Sequence, residues 1–394
     1  MQEGTNARVL FTHRFLFRLA LAAGNVFAWV IVFRMFFIAT DTVEMALAGT
    51  AALYVLSQVV TFILTPLTGM ALRRGVRRAL ILGTLAAVGS YGFFATVFLA
   101  QPDDRVFWII ATFAVTIGIH RALYWIPYKA AEAEVVERSP HALVREAMVA
   151  LVPAGAGYML ATLENGLLVL FSSVSALMLV SALVVARIPE KYESFDWTYR
   201  ETIRELTARG NHLAVGLFIL DGIQGATLLL IWPLAAFLVL GQSFQLLGAV
   251  LTATLCVAFL GRYVTRYFLR TLGVARSPGV LATIVFSGWM FRLAAGTPVQ
   301  LLAVDIFYNS GASPRRFSID TYGFEQAADG GHFIDEYTVV KEMGLCVGRI
   351  AVCVLFITLL ATTAESLAFA AAIFTAAAAA AWSVFLAHKL EKVL

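Results

Sequence analysis

Charge is what this chain has least of. Lys, Arg, Asp and Glu make up 14% of its 394 residues, against about 25% in an ordinary soluble domain. That scarcity excludes a soluble domain with a normal charged surface. Cysteine is scarce too. Cys256, Cys346 and Cys353 sit in apolar runs without CxxC spacing, which reads as small core residues and excludes a disulfide framework or thiolate metal site. No Gly-rich loop ends in Gly-Lys-Ser/Thr, so ATP-driven work by this chain itself is not expected. His-Glu-x-x-His and Gly-x-Ser-x-Gly are also missing, and neither an enzyme activity nor a cofactor is expected. The net charge of +4 never gathers on one soluble face, so nucleic acid is not an expected partner.

What is present is apolar length. Sixty per cent of residues are hydrophobic and the mean hydropathy is +0.82. A membrane span needs about 20 such residues. Helical spans are expected near 15–39, 43–71, 79–100, 106–129, 143–163 and 165–187, then near 211–240, 243–263, 275–295, 298–312, 340–362 and 364–388. The first run is too long and too Arg-interrupted for a cleavable signal peptide. Of the 29 basic residues, 23 fall in every second connection, and the intervening connections hold only Arg105. That alternation is the positive-inside pattern; it implies an even number of spans with both termini cytoplasmic. Arg outnumbers Lys 24 to 5, the usage of a GC-rich genome.

Outer connections such as Thr40-Asp41-Thr42 and Gly241-Gln242 are short, so any ligand site must lie among the helices. In the longer inner segment 188–211, Tyr199, Ile203 and Leu206 recur at helical spacing beside Arg200 and Arg204. That spacing predicts an amphipathic helix on the inner membrane surface. Asn309 to Tyr337, with Pro314 and Gly311, Gly323, Gly330 and Gly331, reads as irregular. Val144-Arg145-Glu146 opens the fifth span and Val340-Lys341-Glu342 the eleventh, 196 residues later. A Gly and an Arg cluster end both the second and the eighth span, at an offset of 192. The expected fold is therefore an all-α polytopic membrane protein with 12 transmembrane helices in two parallel six-helix halves. The halves are 1–187 and 212–394, joined by a cytoplasmic linker at 188–211.

This organisation resembles the major facilitator superfamily of secondary transporters along essentially the whole chain. The family's loop between spans two and three resembles Gly-x-Leu-Ala-Asp-Arg-x-Gly-Arg-Arg; here residues 69–78 read Gly-Met-Ala-Leu-Arg-Arg-Gly-Val-Arg-Arg. Gly69, Arg74, Arg77 and Arg78 match. Gly75 is one place early, and Arg73 stands where the family has an Asp that helps latch the two halves. Leu123 to Tyr128 is similar to a bacterial branch of the superfamily, which implies a bacterial inner membrane. The resemblance also implies that spans 1, 4, 7 and 10 line a central cavity. Those spans carry Arg34; Arg121, Tyr124 and Trp125; Asp221 and Gln224; and Asp305 and Tyr308. Arg349 adds a charge from span 11.

Each charge near the bilayer centre costs about 2.5–3.5 kcal/mol, so such charges pair or face water. Those residues are the candidate substrate-binding or coupling set. With three cations against two acids, it favours a small anionic or zwitterionic solute. Asp305, an acid in apolar surroundings, is the expected proton carrier, and Asp221 the acid paired to an arginine. Arg18 and Arg292, near span ends, are expected to snorkel. Glu146 and Glu342 read as helix-start acids, and Trp232-Pro233 as a kink. The function implied is a permease working by alternating access between bilayer-separated compartments. The alternative is a transport-inactive, transporter-like scaffold or sensor. Cysteine labelling should place residues 73–78, 188–211 and 313–338 on one side of the membrane and 101–105 and 241–242 on the other. Labelling of 73–78 and 101–105 from the same side would overturn the span count.

Overall fold

The computed structural model describes residues 2–99, 104–132, 142–271, 277–309 and 334–391; within these, the side chains of 2–6, 98–99, 104–105, 142–143, 259–271, 334 and 391 are not described. The segment expected to be irregular, 309–337, lies outside the described residues apart from its ends, as does the connection around Arg138; the side chain of Arg105 is likewise outside. Among the described residues the chain is helical and contains no strand. The helices are α1 (Gln2–Thr40), α2 (Val43–Ala71), α3 (Val76–Ala95), α4 (Asp104–Glu132), α5 (Ala142–Thr162), α6 (Gly166–Val185) and α7 (Tyr199–Thr207). They continue with α8 (His212–Ala226), α9 (Trp232–Val239), α10 (Phe244–Thr271), α11 (Pro278–Met290), α12 (298–309), α13 (Ile334–Thr362) and α14 (Glu365–Glu391).

Among the described residues, eight helices or joined helix pairs are long and apolar enough to cross a bilayer: α1, α2, α3, α4, α6, α8 with α9, α13 and α14. The chain is thus an integral, multi-pass membrane protein. The other expected spans, α5, α10, α11 and α12, are helical where expected but shorter or less apolar over the described residues. Span seven is not one smooth helix. A π turn at Thr227–Ile231 joins α8 to α9. Pro233 follows it, and a proline inside a helix removes one N–H and crowds the carbonyl four residues back, so the ladder widens there.

Helices α1 to α6 pack on one another, as α3 does against α4 and α6; α8, α11, α13 and α14 pack together likewise. The two groups meet along two principal seams, α2 against α13 and α5 against α10. Glycines make the close crossings possible. A side chain on Gly348 of α13 would run into the backbone of Ile219 on α8, and one on Gly222 into that of Leu345. Across the second seam, Gly157 and Gly248 face the backbones of Phe244 and Pro153. Without a hydrophobic drive between helices in lipid, such backbone approach is the main source of association.

Helix α7 begins with a capping box. Thr198 N–H donates to Glu201 Oε2 at 2.7 Å, and Glu201 N–H to Thr198 Oγ1 at 3.3 Å. Its apolar side is half-buried against protein, a contact that the sequence expectation of a membrane-surface helix did not include. Ile203 and Leu206 pack on a cluster that includes Phe195, Val339 and Met343. Another protein surface was available, and it covers part of the stripe that composition alone assigns to membrane. Glycine-to-valine substitution at 222 or 348 should cost about 1–3 kcal/mol by overpacking. The measurement is the thermal transition in detergent, which should fall for both variants and hold for Gly89→Val, where nothing lies within 4 Å.

Candidate functional site

A cavity of about 450 Å³ lies between the two helix groups. Of the expected residues it brings together Arg121 and Trp125 from α4, Asp221 and Gln224 from α8, Tyr308 from α12 and Arg349 from α13. These six line one space although they come from four helices far apart in sequence. The remaining three do not. Arg34 is exposed at the far end of α1 with its guanidinium 5.2 Å from the Phe244 ring centroid. Tyr124 is buried behind the cavity wall, stacked on Phe17 at 4.1 Å, and its Oη meets His13 Nε2 at 3.2 Å. Asp305 is 6% exposed and absent from the lining.

Asp305 is held beside Arg292, whose burial corrects the expectation that Arg292 snorkels. Arg292 Nη2 donates to Asp305 Oδ1 at 2.8 Å, and Trp232 Nε1 donates to Asp305 Oδ2 at 3.1 Å. Arg292 does not snorkel. Its guanidinium lies 4.8, 4.5 and 4.2 Å from the rings of Trp232, Trp289 and Tyr308, with its side chain fully buried. A 3-10 turn at Phe291–Ala294 aims it inward. The acid expected to carry a proton is thus held by an arginine, and both are shielded by aromatic faces that favour the cation.

Arg121 and Arg349 are held differently. Arg121 Nη1 donates to Ser57 Oγ at 3.4 Å and its guanidinium lies 5.2 Å from the Tyr54 ring centroid. Arg349 Nη1 donates to Gln58 Oε1 at 3.1 Å, while its Nε is buried without a hydrogen-bond partner. Gln58 Nε2 in turn donates to Ser57 Oγ at 3.2 Å. The two guanidiniums, one from each helix group, therefore converge on adjacent α2 residues. No carboxylate of the described residues forms an ion pair with either.

Sequence reasoning missed several lining residues. Asn25, Tyr54, Tyr91, His120, Lys129, Lys341 and Glu342 also face the cavity. Tyr91 Oη is buried without a hydrogen-bond partner. Asn25 could have been found as a lone amide in the otherwise apolar middle of α1. Several charges at the linker end of the helices are matched locally. Arg18 pairs with Glu146, and Arg14 and Lys129 pair with Glu132. Glu146 is therefore an interhelix ion-pair partner as well as a helix-start acid. Gln224 Nε2 lies 3.4 Å from Asp221 Oδ1.

Removing one partner of a buried pair costs about 3–5 kcal/mol because the other charge is left uncompensated. Asp305→Asn should therefore lower the thermal transition sharply, and Asp305→Asn combined with Arg292→Gln should recover most of the loss. Equal damage from the single and double variants would show that Arg292 and Asp305 are not coupled.

No family model and no curated protein matches the chain. Solved structures do. A D-xylose–proton symporter aligns at 14% identity over 96% of this chain and 97% of its own, with a TM-score of 0.63. A single-substitution variant of the nucleoside transporter NupG aligns at 12% identity over 97% and 99%, with a TM-score of 0.61. The human organic anion transporter MFSD10 aligns at 14% identity over 98% and 100%, with a TM-score of 0.60.

Proposed function

We propose, from a chain that has the fold of the major facilitator superfamily, a secondary transporter for a small anionic or zwitterionic solute. The observation that carries this reading is the pair of cavity guanidiniums, Arg121 and Arg349, without a carboxylate partner among the described residues. A buried cation left unmatched by the protein is costly, and a solute carboxylate or other anion would match it. Arg121, Lys341 and Arg349 line the cavity against Asp221 and Glu342, the fourth lining cation, Lys129, being paired with Glu132. Trp125, Tyr54 and Tyr308 add apolar faces, so a charged head on a compact apolar body fits the lining.

Alternating access would rock residues 1–187 against 212–394 about the α2/α13 and α5/α10 seams. Both termini are placed in the cytoplasm of a bacterial inner membrane on this reading, with twelve spans. Proton coupling belongs to an acid that faces the cavity. Asp221 and Glu342 do; Asp305 would have to leave Arg292 first. The rival scaffold or sensor reading rests on Arg73 at the latch position, and transport itself decides between them.

The test begins with purified protein and a panel of small carboxylates, phosphates, sugars and amines, read as solute-dependent shifts in thermal transition, then uptake into liposomes. Anionic or zwitterionic members should stabilise the protein and be taken up. In Arg349→Gln and Arg121→Gln the solute-induced shift should vanish, while the solute-free transition stays level or rises because an uncompensated charge has been removed. Stabilisation by neutral sugars alone would sink the anion reading. For coupling, Asp221→Asn should abolish accumulation driven by a pH gradient and leave counterflow exchange intact; unaltered pH-driven uptake would clear Asp221 of that role.

A further inference from the structure

The linker end of the molecule has contacts that neither the cavity nor the seams require. The stretch after α6 crosses the α2–α3 connection and is bonded to it repeatedly. Arg77 N–H donates to Glu190 Oε1 at 2.9 Å, and Arg77 Nη1 donates to the Ile188 carbonyl at 3.0 Å. Arg77 and Arg78 each bring Nε within 3.4 Å of Glu190 Oε2. Val76 N–H donates to the Lys191 carbonyl at 2.8 Å, and Arg73 Nε donates to the Phe195 carbonyl. Both glycines of this loop answer to the linker. Gly75 has φ +127°, and any side chain there would strike the Glu190 carboxylate. A side chain on Gly69 would come within 2.5 Å of the Phe195 ring.

The same few linker residues then grip α13. Phe195 is fully buried between Leu72, Val76 and Ile126 on one side and Val339 and Met343 on the other. Asp196 N–H donates to Glu336 Oε1 at 2.7 Å, with Glu336 1% exposed. Trp197 meets Tyr337 edge-on at 5.5 Å.

We propose that residues 190–197 are a clasp that fastens the linker end of α2 to the linker end of α13 and has to release before those ends separate. A covalent linker need only be long enough. This one is wedged between the two helix groups by a buried aromatic ring and bonded to each by a carboxylate, the half-buried Glu190 toward the α2–α3 loop and the buried Glu336 from α13. Arg73 fits the arrangement, since a cation there reaches a linker carbonyl where an acid would repel it. The clasp rests on the rocking-halves reading for its purpose, though its effect on distance does not.

The test uses full-length protein with Cys256, Cys346 and Cys353 replaced by Ala and spin labels at Arg74→Cys and His212→Cys, both exposed positions at the linker end. Pulsed dipolar spectroscopy should give one short, narrow distance. Phe195→Ala and Glu336→Gln should each raise the fraction of longer distances about tenfold. Unchanged distributions in variants that keep their melting transition would overturn the clasp. If Phe195→Ala does not fold, Glu336→Gln decides alone, because it removes one charge and no volume. Liposomes that move no solute would sink the transporter reading and leave the distance result standing.

Discussion

A cation placed in hydrocarbon has to be answered by something, and this molecule is organised by the ways it answers. Arg292 is answered by an ion pair with Asp305 and by three aromatic rings, although its Nε and Nη1 are buried without a hydrogen-bond partner. Arg14 and Arg18 are answered by acids on neighbouring helices near the linker end. Arg34 needs little, because it reaches an exposed position over Phe244. Arg121 and Arg349 are bonded to neutral side chains, and neither is ion-paired with a carboxylate among the described residues. The degree of compensation thus sets the Arg121 and Arg349 guanidiniums apart from the arginines that hold helices together.

The same sorting explains what the degraded loop at 69–78 keeps and what it drops. Gly69 and Gly75 are retained where Phe195 and Glu190 press on them, and Arg77 and Arg78 where Glu190 reaches them. Position 73 carries a cation whose partner is a linker carbonyl. Of the four arginines at 73, 74, 77 and 78, three are engaged by the protein itself, Arg73 by the Phe195 carbonyl and Arg77 and Arg78 by Glu190.

The helices were legible because about 20 apolar residues between charged connections leave little choice of structure. Five cavity residues were legible through the resemblance, which says which spans face inward, and Arg349 through its charge in an apolar run. Depth was the blind spot. Lys341 and Glu342 read as helix-start charges when the eleventh span is begun at 340, but α13 begins at Ile334, which puts them about two turns inside the helix. Arg292 read as a span-end residue free to snorkel. The tight connection at 295–297 folds α12 back along α11, so an acid 13 residues away arrives at the guanidinium. Two opposite charges flanking a short turn were the available signal, and residue-by-residue weighing overlooked it. The wedge of Phe195 had no local signal at all, since its partners come from three separate segments.

The π turn in span seven has a consequence for the whole of that helix. Asp221 and Trp232 are eleven residues apart, so an unbroken α-helix would set them about 20° apart on one face. One extra residue in the turn shifts everything beyond it by roughly 100°. Asp221 can then face the cavity while Trp232 turns to hold Asp305. A single helix thereby serves two neighbours that lie in different directions, and the register of residues 227–231 is the azimuthal setting that divides them. Shortening that turn by one residue would rotate the indole off Asp305 and bring it round to the face that Asp221 occupies.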